Sequence, residues 1–142
     1  MMQKLFSQEL RFKDEQGNEF PDWEEKRLAD VVVFVRNGTT ANQNSHKEGI
    51  KVTRIETISK NKIDLNRVGY ADSSQDLLKY KLQVGDLLFS HINSVAHIGR
   101  TVMVDKDYDL YHGMNLLNIR IDNEICSSLF MHYVLTNRQY KC

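Results

Sequence analysis

The feature that most constrains the fold is a series of short segments rich in β-branched and aromatic residues, separated by polar loops of uneven length. The first, "VVVFVR" at 31–36, predicts a buried strand, and "IKVTRIETI" at 50–58 has high β-propensity although its alternation is imperfect. Three later segments, "LLFSHI", "RTVMV" and "GMNLLNIRI", predict further strands, and "SKNKIDLNRVGY" predicts a turn followed by a short strand. A chain built from such segments folds mainly as β-sheet.

Helical patterns occur in three short stretches. "PDWEEKRLADV" at 21–31 begins with a proline and an aspartate suited to a first turn, and we expect Trp23 and Leu28 to pack inward. "SSQDLLKYKLQVGD" at 73–86 predicts one or two helical turns. "EICSSLFMHYVLTNRQYK" at 124–141 repeats apolar residues at spacings of three and four, which predicts an amphipathic helix. The combined pattern predicts an α+β fold: a twisted, partly closed, mainly antiparallel β-sheet with short helices and a C-terminal amphipathic helix.

The length of 142 residues predicts a single domain. Residues 1–20 are polar with scattered apolar positions, so we expect an N-terminal arm there and the folded domain at 21–142. No apolar run approaches the roughly 20 residues that span a bilayer, and the N-terminus lacks the apolar core of a signal peptide. Cys126 and Cys142 form no CxxC motif. These features predict a cytoplasmic protein without a membrane partner, a disulfide or a zinc site.

The formal net charge is zero, which by itself argues against nucleic-acid binding, but the charge is unevenly distributed. Residues 1–30 contain five Lys and Arg against eight Asp and Glu, whereas residues 31–67 contain seven against three. The second stretch, which we call the basic segment, predicts either contacts with phosphate groups or an ordinary solvated basic surface.

Motifs of the common enzyme classes are absent from the sequence: it contains no GxxxxGK[ST], no GxGxxG after a strand, no HExxH and no GxSxG. His91, His97 and His112 could together bind a metal ion, but no carboxylate or cysteine lies at ligand spacing from them. Ser90 and His91 are neighbours in a predicted strand and would point to opposite faces. The sequence therefore predicts no catalytic residue, no metal site and no cofactor.

Two polar loops, "NGTTANQNSHKE" at 37–48 and "SHINSVAHIG" at 90–99, fit recognition better than catalysis. Their Asn, Gln, Ser, Thr and His side chains can hydrogen-bond to base edges or phosphates, and loops on a rigid sheet commonly carry binding residues. Solvated turns are the alternative interpretation. Gly85 and Asp86 are expected to form a turn that enters a strand rather than to contact a ligand.

A succession of short motifs carries a family resemblance over about residues 10–140. The motifs are "WEEKRLADVVVFVRNGTT", "GIKVTRIETI", "VGDLLFSHINS" followed by "IGRTVMV", "NLLNIRI" and "LFMHYVLTN". In this order they resemble one target recognition domain of the specificity subunit of a type I restriction–modification system. The "GDLLFS-INS" motif with the following "IGR" is the most specific of them.

The resemblance implies a non-catalytic subunit that reads DNA for other subunits. In that family, two recognition domains separated by long helices each read one half of a split DNA sequence. The implied partners are double-stranded DNA, the methyltransferase (modification) subunits that methylate an adenine, and the restriction subunit that cleaves unmodified DNA. The chain would hold one recognition domain without the second domain or the long spacer helix, so we expect weak or no dimerisation. A truncated scaffold that docks methyltransferase subunits without tight DNA binding is the alternative.

The predicted DNA contacts lie in the basic segment and in the two polar loops, with Arg100 directly after the second loop. For Arg54, an ion pair with Glu56 on the same strand face is a competing interpretation. The predicted residues are Arg36, Asn37, Thr39, Thr40, Asn42, Gln43, Asn44, Lys47, Arg54, Lys60, Lys62, Ser90, His91, Asn93, Ser94 and Arg100.

Overall fold

The computed structural model describes residues 4–5, 7–92 and 98–137. The chain forms two compact units, Met1–Asp30 and Val31–Cys142. The division into an arm at 1–20 and a domain at 21–142 remains a prediction.

Arg11 organises the first unit through contacts with the segment that follows residue 19. Its Nη1 lies 2.8 Å from a carboxylate oxygen of Asp22, and its Nη2 donates to the carbonyl of Phe20 at 2.6 Å. Asp22 is therefore paired with Arg11 instead of capping a first helical turn.

The helix predicted at 21–31 is wrong, because a 3₁₀-helix covers only Leu28–Asp30 and the residues before it are not helical. Trp23 and Leu28 are 45% and 44% exposed, so they do not pack inward as expected. A stretch this short forms few helical hydrogen bonds to offset the unfavourable first turn, and without a cap it does not become an α-helix.

Among its described residues, 31–92 and 98–137, the second unit contains seven strands, one α-helix and two further 3₁₀-helices. The strands are β1 (Val32–Asn37), β2 (Ile50–Thr53), β3 (Val68–Ala71), β4 (Leu87–Phe89), β5 (Thr101–Met103), β6 (Leu110–Tyr111) and β7 (Leu117–Ile121), the 3₁₀-helices are Ile55–Ile58 and Gln75–Tyr80, and the α-helix is α1 (Ser128–Thr136).

The strands form two sheets. One has the order β1-β7-β4-β5 with every pairing antiparallel, and the other has the order β3-β2-β6, in which β2 and β6 are parallel. The predicted α+β class with mainly antiparallel strands is confirmed, and the sheet is divided into two parts that are not fully closed. β1 was expected to be buried, but exposed and half-buried side chains alternate along it, so Val33 and Val35 lie on its solvent-facing side.

Successive residues of β4 supply two different hydrophobic clusters, because neighbouring side chains in a strand point to opposite faces. Leu87 packs with Ile119, Ile121 and Met131, where Met131 belongs to α1. Leu88 packs with Val102, Leu116 and other aliphatic residues of the second cluster. The first sheet is therefore held between α1 on one face and an aliphatic core on the other.

Asp86 fixes the entry to β4. Gly85 has a φ of +92°, which favours glycine, and the buried Asp86 carboxylate accepts hydrogen bonds from Arg120 at 2.7 and 2.8 Å. It also accepts from Asn118 Nδ2 at 3.1 Å and from the backbone N–H of Gln83 at 2.9 Å. The turn predicted at these two residues is confirmed, and it also ties β4 to β7.

The predicted C-terminal helix is confirmed as α1, which begins after Ser127. The Ser127 hydroxyl accepts from the backbone N–H of Phe130 at 3.4 Å, the arrangement of an N-cap. The stretch 50–58, read as one strand, is instead divided into β2 and the 3₁₀-helix Ile55–Ile58.

Candidate nucleic-acid interface

The loop after β1 is fastened to the turn before β7. The backbone N–H of Thr39 donates to the carbonyl of His112 at 2.9 Å, and the N–H of Met114 donates to the carbonyl of Thr39 at 3.1 Å. The Thr39 hydroxyl accepts from the N–H of Ala41 at 3.1 Å. These bonds give the polar loop a fixed starting point, although it contains few apolar residues.

Further along this loop, Gln43 meets the end of β2. Arg54 Nε donates to Gln43 Oε1 at 2.6 Å, and the backbone of Gln43 forms an antiparallel bridge with Ala71 of β3. Arg54 thus pairs with Gln43, and within the part of the chain that the structure describes no ion pair joins it to Glu56. The ion pair offered as the competing interpretation of Arg54 is not formed.

These elements enclose a polar cleft of about 400 Å³, which we call the first cleft. Hydroxyl, amide, guanidinium and carboxylate groups line it, so it can both donate and accept hydrogen bonds. Its lining residues are Thr39, Thr40, Ala41, Gln43, Thr53, Arg54, Ile55, Glu56, Met114 and Asn115.

A smaller cleft of about 250 Å³, the second cleft, adjoins the first, since Ile55 and Glu56 line both. Arg67 donates to the Ser59 hydroxyl at 3.2 Å, and Arg100 donates to the Ser59 carbonyl. The other lining residues are Ile58 and Ser90. The structure therefore places predicted residues from the two polar loops around one 3₁₀-helix, Ile55–Ile58.

Besides Gln43, Arg54, Ser90 and Arg100, four more predicted contacts have side chains that are already bonded within the protein. The guanidinium of Arg36 lies 4.2 Å from the centre of the Phe34 ring and donates to the carbonyl of Lys79. Asn37 Oδ1 accepts from the N–H groups of Gly38 and Asn115 at 3.0 and 3.1 Å. The remaining two bond locally.

The two predicted contacts that bond locally are Thr39, described above, and Asn44. Asn44 Nδ2 donates to the carbonyl of Glu48 at 2.9 Å and to Asp72 at 3.2 Å. Asn37, Thr39 and Asn44 thus shape the loop, whereas Arg36 joins β1 to the 3₁₀-helix Gln75–Tyr80. Contact of all four with DNA stays a prediction.

The remaining predicted residues differ in exposure. Lys60 lies 3.6 Å from Asp64, and Ser90 is buried, with its hydroxyl directed to the carbonyl of Ile92 at 3.3 Å. Thr40, Asn42, Lys47 and Lys62 are exposed, and His91 is half-buried. Asn93 and Ser94 lie outside the described residues, as does His97.

Nine lining residues of the clefts were not predicted as contacts from the sequence: Ala41, Thr53, Ile55, Glu56, Ile58, Ser59, Arg67, Met114 and Asn115. Arg67 belongs to the basic segment, so its charge was a usable signal. Met114 and Asn115 precede β7 and carried no local signal, because only the fold brings them to the loop after β1.

The environment of His112 is that of a buried core residue. It is fully buried, its Nε2 lies 2.8 Å from the carbonyl of Leu116, and burial lowers its pKa from 6.5 to about 4. Across residues 4–5, 7–92 and 98–137, no group of three His, Cys, Asp or Glu side chains is arranged to hold a metal ion. Over the same residues, no helix has the length and apolar character needed to cross a bilayer.

A family model for the type I restriction modification DNA specificity domain matches residues 21–142, so the chain belongs to this family. The chain is also similar to a putative type I restriction enzyme MjaX specificity subunit from Methanocaldococcus jannaschii, with 43% identity over 140 residues. This match covers 96% of the chain and 33% of the relative, so the chain spans about a third of that protein. The resemblance drawn from the sequence motifs is confirmed.

Proposed function

We propose that this chain is a sequence-specific DNA-binding module of a type I restriction–modification specificity subunit and reads one half of a bipartite DNA target. It would itself be non-catalytic and would direct adenine methylation and restriction by partner subunits. The DNA-reading role implies a cytoplasmic location. The first cleft carries the proposal, because loop and strand-end side chains that can hydrogen-bond to base edges converge there in a member of the DNA specificity family.

The charge around the clefts supports two kinds of contact. Lys60 and Lys62 are exposed and directly follow the 3₁₀-helix Ile55–Ile58 that both clefts share. Exposed lysines suit phosphate groups, which position a protein on DNA without reading its sequence. The hydroxyl, amide and guanidinium groups of the first cleft suit base edges, which carry the sequence information.

Selection from a library of randomised DNA duplexes tests the proposal. The purified chain is incubated with the library at about 0.1 M salt, and the bound fraction is sequenced after several rounds. We expect enrichment of a short sequence motif that corresponds to one half-site. Absence of any enriched motif, with no binding to DNA in a gel shift, would overturn the proposal. Co-purification with a modification subunit under that outcome would favour the scaffold alternative.

A further inference from the structure

We propose that Gln43 and Arg54 form a preset guanine-reading pair in the first cleft. Arg54 would bind the O6 and N7 atoms of a guanine in the major groove through its two terminal nitrogens, and Gln43 would act as a positioning residue that fixes the guanidinium. The inference rests on the proposed function, because it assigns one position of the DNA target to one pair of side chains.

The backbone of Arg54 is held in place from below. Its N–H donates to the hydroxyl of Thr57 at 2.8 Å, and that hydroxyl donates to the carbonyl of Arg67 at 2.6 Å. Thr57 is fully buried, so the junction between β2 and the 3₁₀-helix Ile55–Ile58 is anchored in the core. A base-reading side chain benefits from such a rigid origin, because less conformational entropy is lost when the ligand binds.

The side chain of Arg54 is held by Gln43 over a glycine. A Cβ atom at Gly69 would overlap the side-chain carbonyl of Gln43 and would come within 2.9 Å of Arg54 Nε. Gly69 is buried and pairs with Val52 across β2 and β3. Its φ lies outside the left-handed region, so the glycine is required for space and not for backbone conformation. Because residue 69 has no side chain, there is space above the strand for the hydrogen bond between Gln43 and Arg54.

The hydrogen bond selects how Arg54 can meet a base. Because Nε is occupied by Gln43, a bidentate contact must use Nη1 and Nη2, and among the described residues neither atom has a hydrogen-bond partner. The pair thus offers donors to a ligand. In the major groove, guanine presents two neighbouring acceptors, whereas adenine presents a donor beside its N7. Because the terminal nitrogens of Arg54 can only donate hydrogen bonds, they match the two acceptors of guanine and conflict with the donor of adenine.

The acidic residue of the same cleft favours a base edge over a phosphate. Glu56 lines the first cleft together with Arg54 and is exposed. Its carboxylate would repel a phosphate group, but it can accept a hydrogen bond from the N4 amino group of a cytosine. A G·C pair offers acceptors on the guanine and this donor on the cytosine, so it suits both side chains.

Selection from randomised duplexes with variant chains tests the pair. Arg54→Met removes every donor of the guanidinium at similar side-chain length, so we expect preference for guanine at one position to fall roughly 5- to 150-fold. Gln43→Ala frees Nε, and we expect a smaller fall of about fivefold at that same position, within the range of one base contact. Gln43→Glu keeps an acceptor for Nε but adds a carboxylate that can neutralise Arg54 and occupy its terminal donors, so the guanine preference should fall for this variant as well.

Controls separate positioning from folding and from general DNA affinity. Lys106→Ala removes an exposed charge in the acidic loop before β6 and should leave the whole motif unchanged. Thermal unfolding of each variant monitors the fold. Gln43→Ala carries the test, because an alanine at Gly69 would clash with the side chain of Gln43. If the wild-type chain enriches a motif in which no guanine responds to Arg54→Met, the inference is overturned while the proposed function stands. If the wild-type chain enriches no motif, both fail.

Discussion

Arg120 and Arg54 are both held through Nε, but by chemically different acceptors. Arg120 donates Nε and Nη2 to the two carboxylate oxygens of Asp86, at 2.7 and 2.8 Å. Arg54 donates Nε to the neutral amide oxygen of Gln43 at 2.6 Å. The carboxylate neutralises Arg120 and occupies its forked donors, whereas the amide leaves Arg54 its full charge and its terminal nitrogens. The same side chain therefore stabilises the fold at one place and is available to a ligand at the other.

The two arginines also differ in their surroundings. The Asp86 side chain is only 1% exposed, and Asn118 supplies it with a further side-chain donor. Arg54 is exposed and lines an open cleft. Removing the acceptor should therefore have opposite consequences: loss of stability around Arg120, and loss of ligand discrimination with little change in stability around Arg54.

The largest expected effect follows from Asp86→Ala. The substitution leaves the partly buried guanidinium of Arg120 without its counter-ion and leaves the Asn118 amide without its acceptor. Breaking a buried pair by removing one partner typically costs about 3–5 kcal/mol of the free energy of unfolding. Urea denaturation followed by circular dichroism measures this difference.

Gln43→Ala is the matched control for Asp86→Ala, because it removes the acceptor of the exposed arginine. Water can replace the lost hydrogen bond there, so the free energy of unfolding should change by less than about 1 kcal/mol. Equal losses for the two variants would show that both arginines serve folding, and the contrast between them would not hold.

A second prediction concerns the wall of the first cleft, where the carbonyl of His112 receives the N–H of Thr39. Burial holds the pKa of His112 at about 4 in the folded chain, below its ordinary value of 6.5. The unfolded chain therefore binds a proton first as the pH falls, so stability is full above pH 6.5 and is lost on acidification towards pH 4. The full loss is on the order of 3 kcal/mol.

Denaturation of wild type and His112→Gln between pH 4 and pH 7 measures the His112 contribution. Glutamine keeps an N–H donor for the carbonyl of Leu116 but does not titrate in this range. The variant should therefore be less sensitive to acid than the wild type, and the difference between the two curves should develop below pH 6.5. Parallel curves would mean that His112 is not held neutral by burial.

Local patterns in the sequence were sufficient for most of the strands, for the turn at Gly85 and Asp86, and for α1, because each depends on neighbouring residues. They did not predict β6 or the end of β2 at Thr53. The cation–π contact between Arg36 and Phe34 could also be predicted from the sequence, because the two residues lie two positions apart on the same strand face. The helix predicted at 21–31 failed because Asp22, taken as its cap, bonds Arg11 eleven residues earlier. A local pattern cannot reveal such a competing partner.

The Gln43–Arg54 pair could not be predicted from the sequence, for a related reason. Both residues were predicted as DNA contacts, but one by its charge and the other by its place in a polar loop. Their hydrogen bond depends on the bridge from Gln43 to Ala71 and on the space above Gly69, which lies fifteen residues beyond Arg54. A glycine within a strand indicates that another group approaches the backbone closely, but it does not show which residue that is. Only the fold therefore identifies the pair.

The smallest expected effect concerns Lys60 and Lys62, which, unlike Arg54, are not positioned for a bidentate contact with a base. Lys60 and Lys62 are exposed, and a flexible lysine acts on a phosphate as a point charge. Alanine at both positions should weaken binding to every duplex alike and leave the enriched motif unchanged. Each lost phosphate contact lowers the slope of log affinity against log salt by about 0.9.

Fluorescence anisotropy with a labelled duplex, titrated at several salt concentrations, measures this slope. Lys106→Ala is the control, because it removes a lysine of similar exposure from the acidic loop before β6 and should not change the slope. A double Lys60 and Lys62 variant with both the wild-type slope and the wild-type motif would remove both lysines from the interface. A variant with the wild-type slope but an altered motif would reverse the assignment, because these lysines would then read bases as Arg54 is proposed to do.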